Sequence, residues 1–376
     1  MKRLLLFSVV IFCVASCKKP ETNYIAAFEI TLQESGDQSA NRLIVVGDRL
    51  AVIGTSINGG NSFLNIDFVD FNGVSTLQRS ILINTEGISI KCTQDNKLIL
   101  AGSLTDQNGN KDVLLAKTDS DGNLIWQKTF GGPMTDFATD IIELEDGSLM
   151  LIGTTQSFGA GPISMYVIKT DASGNELWSR TFGSDGADGG SELLQVNSNE
   201  VMLLGFTNSF GAGDRDNYLQ TVSLAGDSLW STTIGGAAYE ESQAIARTSD
   251  GGYIMSNHSA SEEPNHSLLA TKLDMNGATV WEHHFGTIPS HEGGEGVLAD
   301  SQGNYVFVGR TNSFGNDEQV YFIKTDASGN VLEELNFGAD GDQRGNDIIE
   351  HNGSYYICGN STVNGDSDVL LIKRPM

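Results

Sequence analysis

Basic residues are few in this chain: 22 Lys and Arg stand against 48 Asp and Glu, a net charge of −26. Such a surface repels phosphate backbones and excludes nucleic acid as a partner. Bulk acidity secures solubility; it permits cationic partners or divalent ions without requiring them. Proline is scarce too, at 6 residues, while apolar residues make up 39% and glycine reaches 44. Disordered chains hold fewer apolar residues, so the composition is globular. No segment sustains a 3.6-residue apolar period, so essentially no helix is expected. The signatures of common catalysts are missing: there is no Gly-x-Ser-x-Gly elbow, no His-Glu-x-x-His, no phosphate loop and no dinucleotide fingerprint. The reading is therefore non-enzymatic, with no cofactor. Acidic residues are plentiful enough for a polysaccharide hydrolase, but nothing selects a carboxylate pair.

The longest apolar run is Leu4 to Val14, too short to span a bilayer. Lys2 and Arg3 precede it, and Val14-Ala15-Ser16-Cys17 ends it. This is a targeting segment rather than part of a fold. It resembles the lipobox of bacterial lipoproteins, which implies a signal peptide over 1–16, lipidation of Cys17, and a lipidated tether over 17–23. Several acyl chains anchor stably where one is marginal. Lys18 follows the cysteine where an inner-membrane retention signal would have Asp, so the expected location is the outer membrane. Loss of Lys2 and Arg3 takes the net charge to −28. Of the four cysteines, Cys13 leaves with the signal. Cys92 and Cys358 show no metal-ligand spacing and are each expected to be buried free thiols.

The remainder, residues 24–376, reads as one repeat domain. Trp126, Trp178, Trp230 and Trp281 are spaced 52, 52 and 51 residues apart. Phe130-Gly131, Phe182-Gly183, Ile234-Gly235, Phe285-Gly286 and Phe337-Gly338 keep that interval. A short apolar run ending in glycine recurs at Gly54, Gly102, Gly153, Gly205, Gly309 and Gly359, with Asn257 in the fifth copy. Seven copies result. In the third, strands are expected over 140–144, 149–154, 165–170 and 176–182, separated by turns rich in Gly, Asp, Asn and Ser. Four antiparallel strands repeated at this interval indicate an all-β, seven-bladed β-propeller of four-stranded antiparallel blades. The Trp of each fourth strand is read as an inter-blade packing residue. The seventh copy stops after its third strand, Leu370 to Lys373, and an orphan strand, Tyr24 to Leu32, precedes the first copy. The N-terminal strand is therefore expected to complete the last blade and close the ring.

Lys169 to Trp178 (KTDASGNELW) recurs almost unchanged as Lys117 to Trp126 and returns at Lys324 to Asn330, where Glu333 stands in place of Trp. These repeats resemble those of β-propeller lipoproteins of Bacteroidota. The Asp-x-x-Gly-x-x-x-Trp core is similar to the tryptophan-docking motif of quinoprotein-like propellers, with a one-residue difference in spacing. The resemblance implies the fold; no positions match a quinone-cofactor site.

Candidate binding residues come from register. Five residues before the first apolar residue of four inner strands lie Asp136, Asp188, Glu240 and Glu292. A carboxylate ring there would attract a cation or a basic partner segment; alternatively each carboxylate caps its own loop. Five of the six histidines (His258, His266, His283, His284 and His291) fall in the fifth copy, without spacing that defines a metal site. Asp119-Ser120-Asp121-Gly122 lacks the further oxygen ligands of a calcium loop and reads as a hairpin turn. The Ser-Phe-Gly-Ala-Gly loops at 157–161 and 209–213, with Ser313-Phe314-Gly315 in the sixth copy, are read as structural, their Phe expected to plug a blade edge. The expected partners are the membrane, through the lipid anchor, and a protein or a glycan on the loop face. Tyr239 is the exposed aromatic suited to a glycan.

Overall fold

A computed structural model describes residues 28–32, 36–260, 266–286, 290–315, 317–338 and 341–376. Cys17, its flanking segments and residues 24–27 lie outside them. Among the described residues, every named element is a β-strand. The strands form seven sheets, six following the chain in order and the seventh shared between its two ends. This is the expected seven-bladed propeller.

Closure follows the expectation for the part that is described. Phe28–Leu32 pairs antiparallel with Asp366–Pro375, the third strand of blade 7, with Phe28 opposite Lys373 and Leu32 opposite Val369. Seven apolar clusters fill the structure, one at each seam between neighbouring blades. Burial on both faces of every blade is what a lone four-stranded sheet cannot achieve.

The tryptophans dock forward. Trp126, Trp178, Trp230 and Trp281 lie against Gly174, Gly226, Gly277 and Gly329, in the turn before the outer strand of the next blade. Each of these glycines has positive φ, from +77° to +85°, and a Cβ would meet the indole within 3.3 Å. Trp178 Nε1 also donates to Leu224 O at 3.1 Å. In the last blade the outer strand is Phe28–Leu32, from the other end of the chain. There Glu333, at the Trp position of blade 6, pairs instead with the buried Arg374. Phe28 and Ile30 occupy the docking place over Gly73 of blade 1.

Each inner strand carries a β-bulge in the same register. The extra residue is Ile88, Thr139, Ser191, Gln243, Glu295 or Asn346 in blades 2 to 7. In blade 1 the bulge falls at Asn41 and splits the inner strand into Asp37–Gln38 and Arg42–Val46. The bulge explains the recurrent glycine of the second strand. A Cβ on Gly54, Gly102, Gly153, Gly205, Gly309 or Gly359 would sit 1.6–1.9 Å from an inner-strand carbonyl oxygen. It also explains a shift in strand bounds. The inner strand of blade 3 spans Asp136–Glu143, starting four residues before the expected 140, because a bulge interrupts the period-two pattern there.

Candidate functional site

Inner strands start on the face that carries the blade-to-blade connections and end on the face that carries the tight turns. The seven bulge residues lie near the connection face, and all seven line a central cavity of about 410 Å³. Phe137, Thr154, Phe206, Glu241, Arg344 and Asn360 complete much of its wall. A second hollow of about 590 Å³ opens beside it over blades 5 and 6 and shares Glu241, Gln243 and Glu295 with it.

The residues after the bulges of blades 1, 3, 4 and 7 are Arg42, Asp140, Glu192 and Asp347, and Arg42 lines the base of the cavity. Arg42 of blade 1 reaches Glu192 of blade 4 at 3.2 Å and Asp347 of blade 7 at 3.6 Å. Asp140 accepts the backbone N–H of Leu193, Glu192 that of Ile245, and Asp347 that of Leu43, each from the following blade. One ionic layer thus links the blades at the base of the cavity. Burial pushes the Glu192 carboxyl up, Arg42 opposes this, and Asp140 adds to it.

At the mouth, charges alternate. Glu241 is held by Arg215 at 3.1 Å and accepts the Tyr239 hydroxyl. Burial, then this bond to Glu241, push the Tyr239 phenol up to about 12. Glu295 faces His258 at 3.2 Å and Arg310 at 3.7 Å. Glu318 joins Arg310 at 3.8 Å to Arg344 at 2.6 Å. Burial would raise Glu295, but the His258 contact, with Arg310 and Arg344, outweighs it and holds the carboxyl below its ordinary range. Glycine makes room for these groups. A Cβ on Gly189 would strike the Phe206 ring at 2.4 Å, and one on Gly293 would strike His258 at 2.7 Å. Arg215 lies over the other aromatic surfaces here, 3.9 Å from the Phe206 centroid and 5.0 Å from that of Tyr239.

The four in-register carboxylates keep their register: each opens an inner strand. Their side chains are buried and turned into their own loops. Asp136 accepts Gly132 N at 2.8 Å and the Ser157 hydroxyl at 2.7 Å. Asp188 accepts Ser184 N and the hydroxyls of Thr207 and Ser209. Glu240 accepts Gly236 N at 3.0 Å, and Glu292 accepts the hydroxyls of Thr311 and Ser313. The oxygens that register alone would offer to a cation are therefore engaged by backbone and hydroxyl donors.

The histidines are dispersed. His258 lies at the mouth; the His266 and His291 rings are 5.6 Å apart at its rim. His283 lies beside Trp281, and His284 meets Ser267 Oγ at 2.7 Å on the blade 5 periphery. Among the described residues, no three His, Cys, Asp or Glu side chains converge as a metal-binding group. Cys358 is buried as expected, but Cys92 is exposed, because it is the last residue of an inner strand, beside an open turn. Phe158, Phe210 and Phe314 are only half covered and lean on Tyr166, Tyr218 and Tyr321; they cap a third-strand tyrosine rather than filling an edge.

Sequence register had pointed five residues before the first apolar residue. The groups that line the central cavity lie two and four before it, and directly after the recurrent glycine, where Thr154, Phe206 and Asn360 stand; His258, after Asn257, and Arg310, after Gly309, hold the same place over the second hollow.

No protein family and no curated protein sequence matches the chain. Solved structures share the fold. Inactive virginiamycin B lyase from Staphylococcus aureus with quinupristin is 11% identical, with TM-score 0.56 over 92% of this chain and 98% of that one. YCF48 bound to D1 peptide is 11% identical, with TM-score 0.56 over 93% and 94%. An α-L-arabinofuranosidase from Fusarium graminearum is 10% identical, with TM-score 0.53 over 78% and 93%. The likeness is one of architecture, and propellers host lyases, hydrolases and assembly proteins alike.

Proposed function

We propose that this chain is a non-enzymatic binding propeller, held at the outer membrane by lipid on Cys17, whose ligand enters the cavity at the connection face. One observation carries the reading. The cavity has an ionic layer at its base and an open mouth, where Glu241, Glu295 and Glu318 are each held by an arginine. This is a preorganised pocket on a rigid ring, the usual setting for a binding site.

The anchor fits this arrangement. Phe28 enters the propeller at the turn face, opposite Lys373. This is the face away from the cavity mouth.

Two experiments test the reading. Palmitate labelling of cells should mark the wild type and not Cys17→Ser; equal labelling refutes the anchor. Photo-crosslinking from Asn312, at the mouth, and from Asp146, on the turn face, tests the site. Adducts from Asn312 are expected, and adducts confined to Asp146 would place binding elsewhere.

A further inference from the structure

The seven bulge residues occupy equivalent places, yet they do different things. Asn41, Thr139 and Asn346 each donate to a carbonyl of the next blade: Gly87 O at 2.6 Å, Gly190 O at 2.9 Å and Ala40 O at 2.7 Å. These bonds clasp blades 1 to 2, 3 to 4, and 7 to 1. In blades 4, 5 and 6 the clasp is absent. Ser191 and Gln243 line the cavity, and neither side chain makes a hydrogen bond among the described residues. Glu295, an acceptor when ionised, turns to His258 and Arg310. Blades 4 to 6 thus give up a structural bond and leave polar groups facing the cavity.

The adjoining wall differs. Phe137 of blade 3 and Phe206 of blade 4 line the cavity beside the bare backbone of Gly190. The pocket therefore has an aromatic side and a side of planar polar groups: Gln243, Glu241, Glu295 and Arg344. A sugar ring matches both. It has an apolar C–H face for an aromatic ring and an edge of hydroxyls, each both donor and acceptor. An amide supplies donor and acceptor together, and carboxylates braced by Arg present acceptors in set directions. Charge argues for a neutral ligand. Arg310 and Arg344 are already compensated by Glu295 and Glu318, and the whole chain carries −26. Both hollows fall within the roughly 300–1,000 Å³ typical of small-ligand sites.

We infer that the cavity binds a neutral saccharide, with Phe137 against its apolar face and Ser191, Gln243, Glu241 and Glu295 on its hydroxyls. This rests on the reading of the connection-face cavity as the ligand site.

The full chain, purified in detergent, is tested by affinity electrophoresis in gels containing glucan, mannan, xylan or galactan, and by calorimetry with the matching oligosaccharides. Saturable binding of at least one neutral saccharide is expected. Gln243→Ala and Phe137→Ala should each weaken it at least about tenfold, the scale of one lost hydrogen bond or stacking contact. The thermal midpoint of Gln243→Ala should be unchanged, since Gln243 holds nothing in the fold. Binding that survives both substitutions overturns the inference. So does preference for an acidic polysaccharide such as alginate. If no saccharide binds while Asn312 still crosslinks to a protein, the ligand class is wrong and the site stands. If Asn312 also gives no adduct, both readings fall.

Discussion

The guanidinium of Arg42 lies 3.2 Å from the carboxylate of Glu192, three blades away across the channel. No two blades of a seven-membered ring are further apart, so this pair ties opposite sides of the propeller. It also lies at the base of the cavity. Replacing Arg42 with Met leaves Glu192 and Asp347 without their cation in a buried layer. Loss of about 3–5 kcal/mol in stability is expected, read as a lower urea midpoint at unchanged slope. Arg42→Met combined with Glu192→Gln should recover part of that loss, because the second change removes the stranded charge.

The glycine opposite each bulge is a steric requirement. A Cβ on Gly205 would lie 1.9 Å from Gly189 O, and backbone cannot yield as a side chain does. Gly205→Ala should cost at least about 1–3 kcal/mol. Gly147→Ala, where a Cβ meets nothing but φ is positive at +78°, separates strain from clash. Thermal unfolding of the two variants should rank Gly205→Ala as the more damaging.

The first strand is the clasp of the ring. Phe28, Ile30 and Leu32 pack with Tyr356, Val369 and Leu371 of blade 7 and with Leu50 of blade 1. Deleting 28–32 uncovers that seam and opens a sheet edge. The truncated chain should lose its single cooperative transition in calorimetry. A melting curve superimposable on the full chain would contradict this closure.

Asp188 is a loop organiser in this geometry. It accepts from Ser184 N at 2.8 Å, Thr207 Oγ1 at 2.5 Å and Ser209 Oγ at 2.6 Å. Asp188→Ala leaves the buried Thr207 hydroxyl and two partly buried donors without this acceptor and should destabilise by about 1–3 kcal/mol. Calcium calorimetry on wild type and on the combined Asn or Gln variant of positions 136, 188, 240 and 292 should give the same heats. A calcium heat that vanishes in the variant would restore the cation ring.

Stability should fall in acid. In the turn before the outer strand, Asp171 and Asp326 are held below their ordinary value of 3.8 by the side chains of Asn175 and Asn330 and by backbone N–H groups. Glu295 is also held low, its His258, Arg310 and Arg344 contacts outweighing burial. A lowered folded value means that the unfolded chain takes up protons first, so this stabilisation is present above the unfolded value and lost as pH falls. Glu192 has the opposite sign, its raised value favouring the fold at low pH and losing that as pH rises. The lowered groups outnumber it. The urea midpoint should therefore drop between about pH 5 and about pH 3, and less so in Asp171→Asn.

The blade count, the turns and the ring closure were legible in the sequence because each is a local signal repeated seven times. Hairpin strands announce themselves by alternation and turn glycines, and Trp178 or Trp281 needs only the next repeat to dock on. The Glu333 exception was visible as well, though its partner Arg374 was not, since the pairing depends on where the last blade ends. The cavity was less accessible. One extra residue in each inner strand breaks the alternation that sequence reading relies on, and it turns Gln243 and Glu295 toward the axis. Register gave the positions of Asp136, Asp188, Glu240 and Glu292 but not their direction, which was decided by nearby backbone N–H groups and hydroxyls. Only closure of the ring brings Arg42 to Glu192, about 150 residues away, because channel partners are set by the geometry of the circle rather than by spacing along the chain.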